Sequence, residues 1–243
     1  DRATKPGGSV EKHFEDFVGC EALISRLRRC QTVVKNTKSR GKDPRELIPF
    51  TFLFCGPLGT GKTTAAKRIG QIFYEMGFLA TPEVMDRSAT HLIGEYVGHT
   101  GPKTTKLFDS ALGRVLFIDE SYKLDEGSYT REAVVEMINL LGSERYRKKL
   151  VVILAGYQKD IHQLMATNPG FTSRLPEVIN FDPLTPGQCA QLLFKRMVAL
   201  DIETEELEQS TPLVSFLEAY FGKISQLPFW GNGRDVGTLA SSI

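Results

Sequence analysis

The sequence predicts an α/β fold in which a five-stranded parallel sheet lies between layers of helices and is followed by a small helical domain. Two observations carry this prediction. Short apolar segments alternate with helical segments through most of the chain, which is typical of a parallel sheet covered on both faces. After FDPLTP at 181–186, the remaining long segments all have helical periodicity.

The predicted strands are short, and most end at glycine or at an acidic residue. They cover 49–56, part of 83–88, 114–120, 150–156 and 177–182. The helices predicted around them often end at glycine, which favours helix termination. They cover 17–40, 62–76, 102–112 and 130–141, with three more at 186–200, 211–225 and from 232 onward.

This reading divides the chain into a flexible segment at 1–16, a large α/β domain at 17–183 and a helical domain at 184–243. The boundary is DPLTP, whose two prolines interrupt regular structure and provide a hinge. The chain begins at Asp1 instead of methionine, continues with a flexible TKPGG at 4–8, and stops inside a predicted helix. We therefore expect a piece of a longer protein, whose targeting signal could lie outside this sequence.

Composition argues against several kinds of partner. The net charge is +1, which favours neither nucleic acid nor an anionic membrane, and the basic runs at 26–29 and 145–149 are explained by solvated faces. No apolar run approaches the ~20 residues of a membrane span. The cysteines form no CxxC pair, which predicts reduced, mostly buried thiols in an intracellular protein, cytoplasmic or nuclear: Cys20, Cys30, Cys55 and Cys189.

GPLGTGKT at 56–63 fits the pattern G-x-x-x-x-G-K-T and lies between a predicted strand and a predicted helix. Its glycines let the backbone curl so that amide groups face phosphate oxygens, and the helix N-terminus adds its dipole. Lys62 is expected to reach the β- and γ-phosphates of ATP, and Thr63 to bind Mg²⁺. The sequence thus predicts a P-loop NTPase whose phosphate-binding residues are Gly56, Pro57, Gly59, Thr60, Gly61, Lys62, Thr63 and Thr64.

VLFIDE at 115–120 supplies two acidic residues at the carboxyl end of a buried strand. In this architecture Asp119 would lie beside the P-loop and hold Mg²⁺. Glu120 would polarise a water molecule for attack on the γ-phosphate. The glutamate favours ATP hydrolysis over nucleotide binding alone.

Two arginines are candidate contacts to the nucleotide. Arg174 follows the turn-forming Asn-Pro-Gly at 168–170, from which it could reach the γ-phosphate of a neighbouring subunit in trans. Arg234 lies in the first turn of the last predicted helix, after the expected cap Asn232, and could fold over the nucleotide. The alternative for each is an ordinary solvated or ion-paired surface arginine.

GEYVGHT at 94–100 predicts an exposed loop with an apolar tip. Two nearby glycines disfavour a helix, and the polar residues disfavour a core strand. Exposed apolar residues on a loop indicate a partner, a substrate or a covering surface. The alternative is an interface loop buried against a neighbour.

The motifs together resemble the AAA+ ATPases, within the branch that contains the red-type rubisco activase CbbX and stage V sporulation protein K-like proteins. The resemblance covers roughly 14–238. It is carried in order by FVGCEAL, GPLGTGKTT, LIGEYVGHTGPKT, VLFIDES, VVILAGY, NPGFTSR and GNGRDV.

The resemblance implies roles for individual residues. Val18 and Gly19 would contact adenine, Arg174 would be an arginine finger, and Arg234 would be the sensor-2 arginine of a helical lid. The segment Tyr96, Val97 and Gly98 would be the pore loop with which a ring hexamer grips a polypeptide. The implied partners are copies of this chain or sister AAA+ domains, together with a protein substrate. Tyr157 stands near the usual sensor-1 position, where a phenol is a departure from most of the family.

Three functions remain open from the sequence. The first is an ATP-driven ring that remodels or threads a protein substrate. The second is a nucleotide-dependent assembly switch with slow turnover in a larger protein. The third is a nucleic-acid ATPase of the clamp-loader or helicase-loader type, against which the near-neutral net charge argues.

Overall fold

The computed structural model describes residues 9–94, 96, 98–120, 128–167 and 169–243. A five-stranded sheet runs through the first part of the chain, in the order β2-β3-β4-β1-β5. The strands are β1 (Thr51–Cys55), β2 (Val84–Ser88), β3 (Val115–Asp119), β4 (Val151–Gly156) and β5 (Glu177–Asn180). All pairings are parallel, which confirms the predicted fold class.

Helices cover both faces of this sheet. The helices of the α/β part are α1 (Val10–His13), α2 (Glu21–Lys38), α3 (Lys62–Glu75), α4 (Thr100–Ser110), α5 (Ser128–Gly142), α6 (Gln158–Thr167) and α7 (Pro169–Arg174). Short 3₁₀ turns lie at Arg45–Leu47 and Ala89–Leu92. The predicted helices that correspond to α2, α3, α4 and α5 differ from them by a few residues at the ends, whereas α1 and α6 were not predicted.

Alternation along the central strand creates two separate cores. Phe52 and Phe54 of β1 point into a cluster with residues of α1, α2 and α3. Leu53 and Cys55 point to the other face, into a cluster with α4 to α7. Successive side chains of a strand face opposite ways, so a strand buried on both sides is apolar throughout. This explains why β1, β3 and β4 are almost entirely apolar, whereas the edge strands β2 and β5 carry polar residues.

The last part of the chain is helical and has a third core of its own. Its helices are α8 (Pro186–Val198), α9 (Glu205–Gln209), α10 (Thr211–Ile224) and α11 (Gly233–Ala240). A reciprocal capping box begins α8: Gln188 N donates to Thr185 Oγ1 over 3.2 Å, and Thr185 N donates to Gln188 Oε1 over 2.9 Å. Pro186 opens the first turn, so this sequence defines where α8 starts.

Part of the N-terminal segment packs on the α/β core. Val10 begins α1 and Phe14 directly follows it, so the two lie four residues apart on one side. Both are buried in the cluster shared with α2 and α3. The four cysteines are free thiols, three of them buried, in agreement with the sequence-based prediction. Within the described residues, no helix combines the length and apolarity that crossing a bilayer requires.

Candidate nucleotide site

The P-loop connects the end of β1 to the start of α3 and depends on glycine at two positions of positive φ. Gly59 has φ +74° and Gly61 has φ +93°. Residues other than glycine adopt this backbone region only at a cost in conformational energy. Close approaches add a second reason. A Cβ on Gly61 would lie 2.6 Å from the ring of Phe17, and one on Gly56 would lie 2.1 Å from the Phe181 carbonyl oxygen.

Lys62 is the buried cation of this loop. Its Nζ donates to the carbonyl oxygens of Gly56 and Pro57 over 2.8 and 2.7 Å. Burial lowers the pKa of Lys62, while the nearby carboxylate of Asp119 acts in the opposite direction. Thr60 Oγ1 also donates to the Pro57 carbonyl, over 2.9 Å. The ammonium group is therefore held inside the loop, close to the carboxylate predicted to bind Mg²⁺.

Two acidic residues, Asp119 and Glu120, lie at the carboxyl end of β3. Asp119 is the last residue of β3, and its Oδ1 accepts a 2.8 Å hydrogen bond from Glu120 N. Glu120 has φ +57°, which turns the chain sharply as it leaves the strand. Its Oε2 accepts from Ser88 Oγ over 3.0 Å. Ser88, at the end of β2, is a partner that the sequence analysis did not identify.

A cleft of about 460 Å³ lies between the P-loop and the helical domain. The predicted residues that line it are Val18, Gly59, Thr60, Gly61, Lys62, Thr63, Thr64, Asp119 and Arg234. Gly19 instead lines a smaller neighbouring cavity of about 120 Å³, which Val18 and Thr60 share. The cleft thus unites most of the residues predicted for nucleotide and metal binding, although they come from four separate segments.

The helical domain contributes more of this cleft than the sequence indicated. Leu184, Leu192, Lys195 and Arg196 line it together with Arg234. Lys195 Nζ donates to the backbone carbonyl of Glu15, so α8 is tied to the N-terminal segment. The sequence feature that could have indicated this contribution is the adjacent pair of cations, Lys195 and Arg196, near the end of a helix that is otherwise uncharged. Phe17, beside the predicted Val18, was missed because its ring packs on Gly61 from a distant part of the chain.

The donor set of the cleft fits a magnesium nucleotide. The first turn of α3 has amide groups without helical acceptors, and such groups bind phosphate. Lys62, Arg196 and Arg234 add positive charge around the cleft. Thr63 and Asp119 supply the hydroxyl and carboxylate oxygens that Mg²⁺ prefers.

Arg174 lies at the opposite end of the sheet. Its carbonyl oxygen accepts from Thr51 Oγ1, at the start of β1, over 2.6 Å. The P-loop begins after the other end of β1, and the five residues of that strand span about 16 Å. The exposed guanidinium lines a separate cavity of about 410 Å³ together with Arg147 and Lys148. The structure therefore does not bring Arg174 to the P-loop of its own chain.

The loop at 94–100 has an anchored base and an exposed tip. Gly94 N donates to the buried Thr100 Oγ1 over 3.1 Å, and Thr104 Oγ1 donates to the Leu92 carbonyl over 3.1 Å. Tyr96 is 66% exposed, and its ring meets the ring of His99 edge-on at 5.5 Å. Gly98 has φ +80° and faces open space. Val97, predicted to belong to this tip, lies outside the described residues.

The fold and the cleft together define a P-loop nucleoside triphosphatase with a helical domain beside its phosphate-binding loop. The sequence profile of the ATPase family associated with various cellular activities (AAA) matches residues 52–183, which is just over half of the chain. The chain therefore belongs to this family and is an ATPase.

Similar curated proteins support the same branch that the motifs predicted. A chloroplastic ribulose bisphosphate carboxylase/oxygenase activase of Cyanidioschyzon merolae is 34% identical over 95% of this chain and 75% of its own length. Stage V sporulation protein K of Bacillus subtilis is 30% identical over 93% of this chain and 71% of its own. Protein CbbX of Cereibacter sphaeroides is 31% identical over 93% and 73%, respectively.

Proposed function

We propose that this chain is the ATP-hydrolysing subunit of a ring that remodels or threads a protein substrate. The observation that carries the proposal is the separation of Arg174 from its own P-loop by the length of β1. An active site that needs this arginine would be completed only by a neighbouring copy or a sister domain. A hexamer is the assembly that the family resemblance implies.

The residues of the cleft have distinct tasks in the proposed reaction. Backbone amides of the P-loop and the Lys62 ammonium would hold the phosphates, while Thr63 and Asp119 would bind Mg²⁺. Bound Mg²⁺ would neutralise phosphate charge and orient the phosphate chain. Glu120 would accept the proton of the attacking water. It directly follows Asp119, and its backbone N donates to Asp119 Oδ1.

The proposal also includes contacts to the adenine base of ATP and contacts from the helical domain to its phosphates. Val18 and Gly19, which line adjoining cavities beside the P-loop, would contact adenine. Arg234 is exposed toward the cleft from the first turn of α11 and would contact the phosphates. Closure of the helical domain on ATP would then move the whole domain relative to the sheet.

The loop containing Tyr96, Val97 and Gly98 would grip the substrate polypeptide. An exposed aromatic ring can pack against side chains of many kinds, so it suits a substrate without a fixed sequence. The anchored base would transmit movements of α4 to the tip, because Thr100 and Thr104 are buried and hydrogen-bonded. The relatives named as ribulose bisphosphate carboxylase/oxygenase activases favour a protein as the class of substrate.

The test of the shared site is ATPase activity measured against protein concentration. For the wild type, specific activity should rise with concentration, and Arg174→Ala should lower it at least tenfold at every concentration while nucleotide affinity stays within about threefold. Arg28→Ala is the matched control, since Arg28 is an exposed arginine on α2 that pairs with Glu11. Low, concentration-independent activity that Arg174→Ala leaves unchanged would favour the nucleotide-dependent switch instead.

The test of the pore loop uses Tyr96→Ala, with the exposed Tyr74 of α3 replaced by alanine as a control. The probe is a green fluorescent protein with an unstructured tail, whose ATP-dependent loss of fluorescence reports unfolding. Tyr96→Ala should keep basal ATPase activity within about twofold and lose the unfolding. Loss of both activities together would mean that the loop is structural, and stimulation of ATPase activity by DNA or RNA would favour a nucleic-acid ATPase.

A further inference from the structure

Asn232 has a backbone conformation that normally belongs to glycine. Its φ and ψ are +50° and −128°, and Arg234 N donates to the Gly231 carbonyl over 3.1 Å to close the turn. These are the values of the second position of a type II′ turn, where glycine is preferred. Glycine occupies the positions on both sides, Gly231 and Gly233. Because Asn232 is not glycine, its backbone is strained, and contacts of its side chain must offset that strain.

The sequence predicted that Asn232 caps α11, but its side chain makes no capping hydrogen bond. The side chain connects two other segments instead. Asn232 is 3% exposed. Its Nδ2 donates to the Leu58 carbonyl of the P-loop over 3.0 Å, and its Oδ1 accepts from Leu184 N at the hinge over 3.2 Å. A carboxamide offers a donor and an acceptor side by side, as this pair of backbone partners requires.

A backbone contact beside Asn232 strengthens the connection. Gly233 N donates to the Gly59 carbonyl over 3.0 Å. A Cβ on Gly59 would lie 1.9 Å from the Gly231 carbonyl oxygen, so the two backbones touch. The P-loop, the hinge and the start of α11 therefore meet at one buried point.

The carbonyl groups of Leu58 and Gly59 are rigidly coupled to the amide groups of the next residues, Gly59 and Thr60, which line the proposed phosphate site. The Leu58 carbonyl shares a peptide plane with the Gly59 amide, and the Gly59 carbonyl shares one with the Thr60 amide. When those amides rotate toward a phosphate, the two carbonyls must move in the same rotation. Asn232 and Gly233 hold these carbonyls and would carry the movement into α11 and to Arg234, which directly follows Gly233.

We infer that Asn232 is a positioning residue that transmits the nucleotide state of the P-loop to the helical domain. This inference rests on the proposed function in one respect, namely that the P-loop amides bind the phosphates. It assigns the coupling to a neutral side chain that would not touch the nucleotide. The coupling would act whether or not the Arg234 guanidinium has reached a phosphate.

The protein contains an internal reporter for this movement. Trp230 is the single tryptophan of the chain and immediately precedes the turn. Its ring packs on Phe221 at 6.2 Å, and its Nε1 is buried with no hydrogen-bond partner among the described residues. Indole emission depends on such surroundings, so a shift of the start of α11 against α10 should change it.

The experiment measures Trp230 emission, nucleotide affinity and steady-state ATPase activity for the wild type, Asn232→Gly and Asn232→Asp. Glycine relieves the backbone strain and removes the bridge. Aspartate keeps the size and the acceptor for Leu184 N but cannot donate to the Leu58 carbonyl when ionised. ADP and a slowly hydrolysed ATP analogue, each with Mg²⁺, serve as ligands, and a fluorescent ADP analogue gives the affinity. Asn36→Ala, an exposed position on α2, is the matched control.

Nucleotide should change the Trp230 emission of the wild type and of Asn36→Ala. Both Asn232 variants should bind nucleotide within about threefold of wild type, lose the emission change, and show a kcat lowered about tenfold with KM within about twofold. Far-UV circular dichroism and thermal unfolding establish that each variant is folded.

Three results would overturn the inference. The first is a wild type that binds nucleotide without an emission change. The second is an Asn232→Gly protein that keeps both the emission change and kcat. The third is a loss of affinity, turnover and folding together in both variants, which would assign Asn232 a purely structural role. A wild type that shows the emission change but no hydrolysis would contradict the ATPase assignment and leave the coupling supported.

Discussion

At the scale of single residues, Lys62 shows how a binding site costs stability. Its ammonium is buried and lies between the carbonyls of Gly56 and Pro57. Burial lowers the pKa of Lys62, which means that the charged form is held less favourably in the folded chain than in water. The Lys62 side chain therefore contributes little to the free energy of unfolding of the chain without nucleotide. We expect its stabilising contribution only when phosphate is bound.

Replacing Lys62 with methionine should separate these two effects. Without nucleotide, Lys62→Met should melt at the wild-type temperature or above it, because the buried charge is gone. With ATP and Mg²⁺ at a hundred times the Kd, the wild type should gain about 2.7 kcal/mol of unfolding free energy, and the variant none. Differential scanning calorimetry gives both values.

The control for this prediction is Lys67→Met, an exposed lysine one turn further along α3. It should retain the increase in melting temperature on adding ATP. An unchanged nucleotide-dependent increase in Lys62→Met would mean that Lys62 does not face the phosphates.

At the scale of elements, strand register decides which side chain meets Glu120. Ser88 pairs with Asp119 across β2 and β3, so the hydroxyl at the end of one strand lies beside the acids at the end of the other. The hydrogen bond from Ser88 Oγ to Glu120 Oε2 holds the carboxylate toward the edge of the sheet. No local sequence pattern contains this information, because 31 residues separate the two strand ends and register is a property of the assembled sheet.

Removing this hydroxyl should affect turnover and leave nucleotide binding intact. Hydrogen bonds to charged groups contribute about 1.5 to 3 kcal/mol, and partial exposure reduces that contribution here. Ser88→Ala should therefore lower kcat about fivefold while the affinity for ATP stays within about twofold. Steady-state kinetics with a coupled assay measures both, and Ser88→Thr, which keeps a hydroxyl, should restore most of kcat. Equal losses in Ser88→Ala and Ser88→Thr would assign the effect to packing.

At the scale of the whole molecule, the two cores and the helical domain bury three of the four thiols and half-bury that of Cys20. Burial raises the pKa of Cys20 to about 12 and the pKa values of Cys55 and Cys189 to about 11. An unfolded thiol has a pKa near 8.5. The folded chain thus holds these protons more tightly, so the stabilising contribution is complete below about pH 8.5 and is lost as the pH rises through 11 to 12.

Two measurements follow from these raised pKa values. At pH 8, the folded chain should react with Ellman's reagent at least about a hundredfold more slowly than the unfolded chain, because thiolate is scarce and buried. The urea midpoint should fall between pH 8.5 and 11, and it should fall less for Cys189→Ala. The lowered pKa of Lys62 acts with the opposite sign, but both proteins share Lys62, so their difference isolates the thiol. Rapid labelling of the folded chain at pH 8 would contradict the burial of the thiols.

The sequence by itself determined the fold class, the P-loop and the acidic end of β3. These features depend on residue type at short spacing: apolar runs bounded by glycine, and glycines and a lysine between a strand and a helix. Residue type at short spacing also predicted that Tyr96 belongs to an exposed loop. The 66% exposure of Tyr96 confirms this prediction.

Only the tertiary structure decided which distant segments meet. The order β2-β3-β4-β1-β5, the position of Arg174 at the far end of β1, and the buried Asn232 bridge from Leu58 to Leu184 all depend on long-range packing. Asn232 illustrates the physical reason. Its sequence context, between two glycines at the start of a helix, predicts a cap, yet a carboxamide bonds to whichever unsatisfied donor and acceptor the folded backbone brings within about 3 Å.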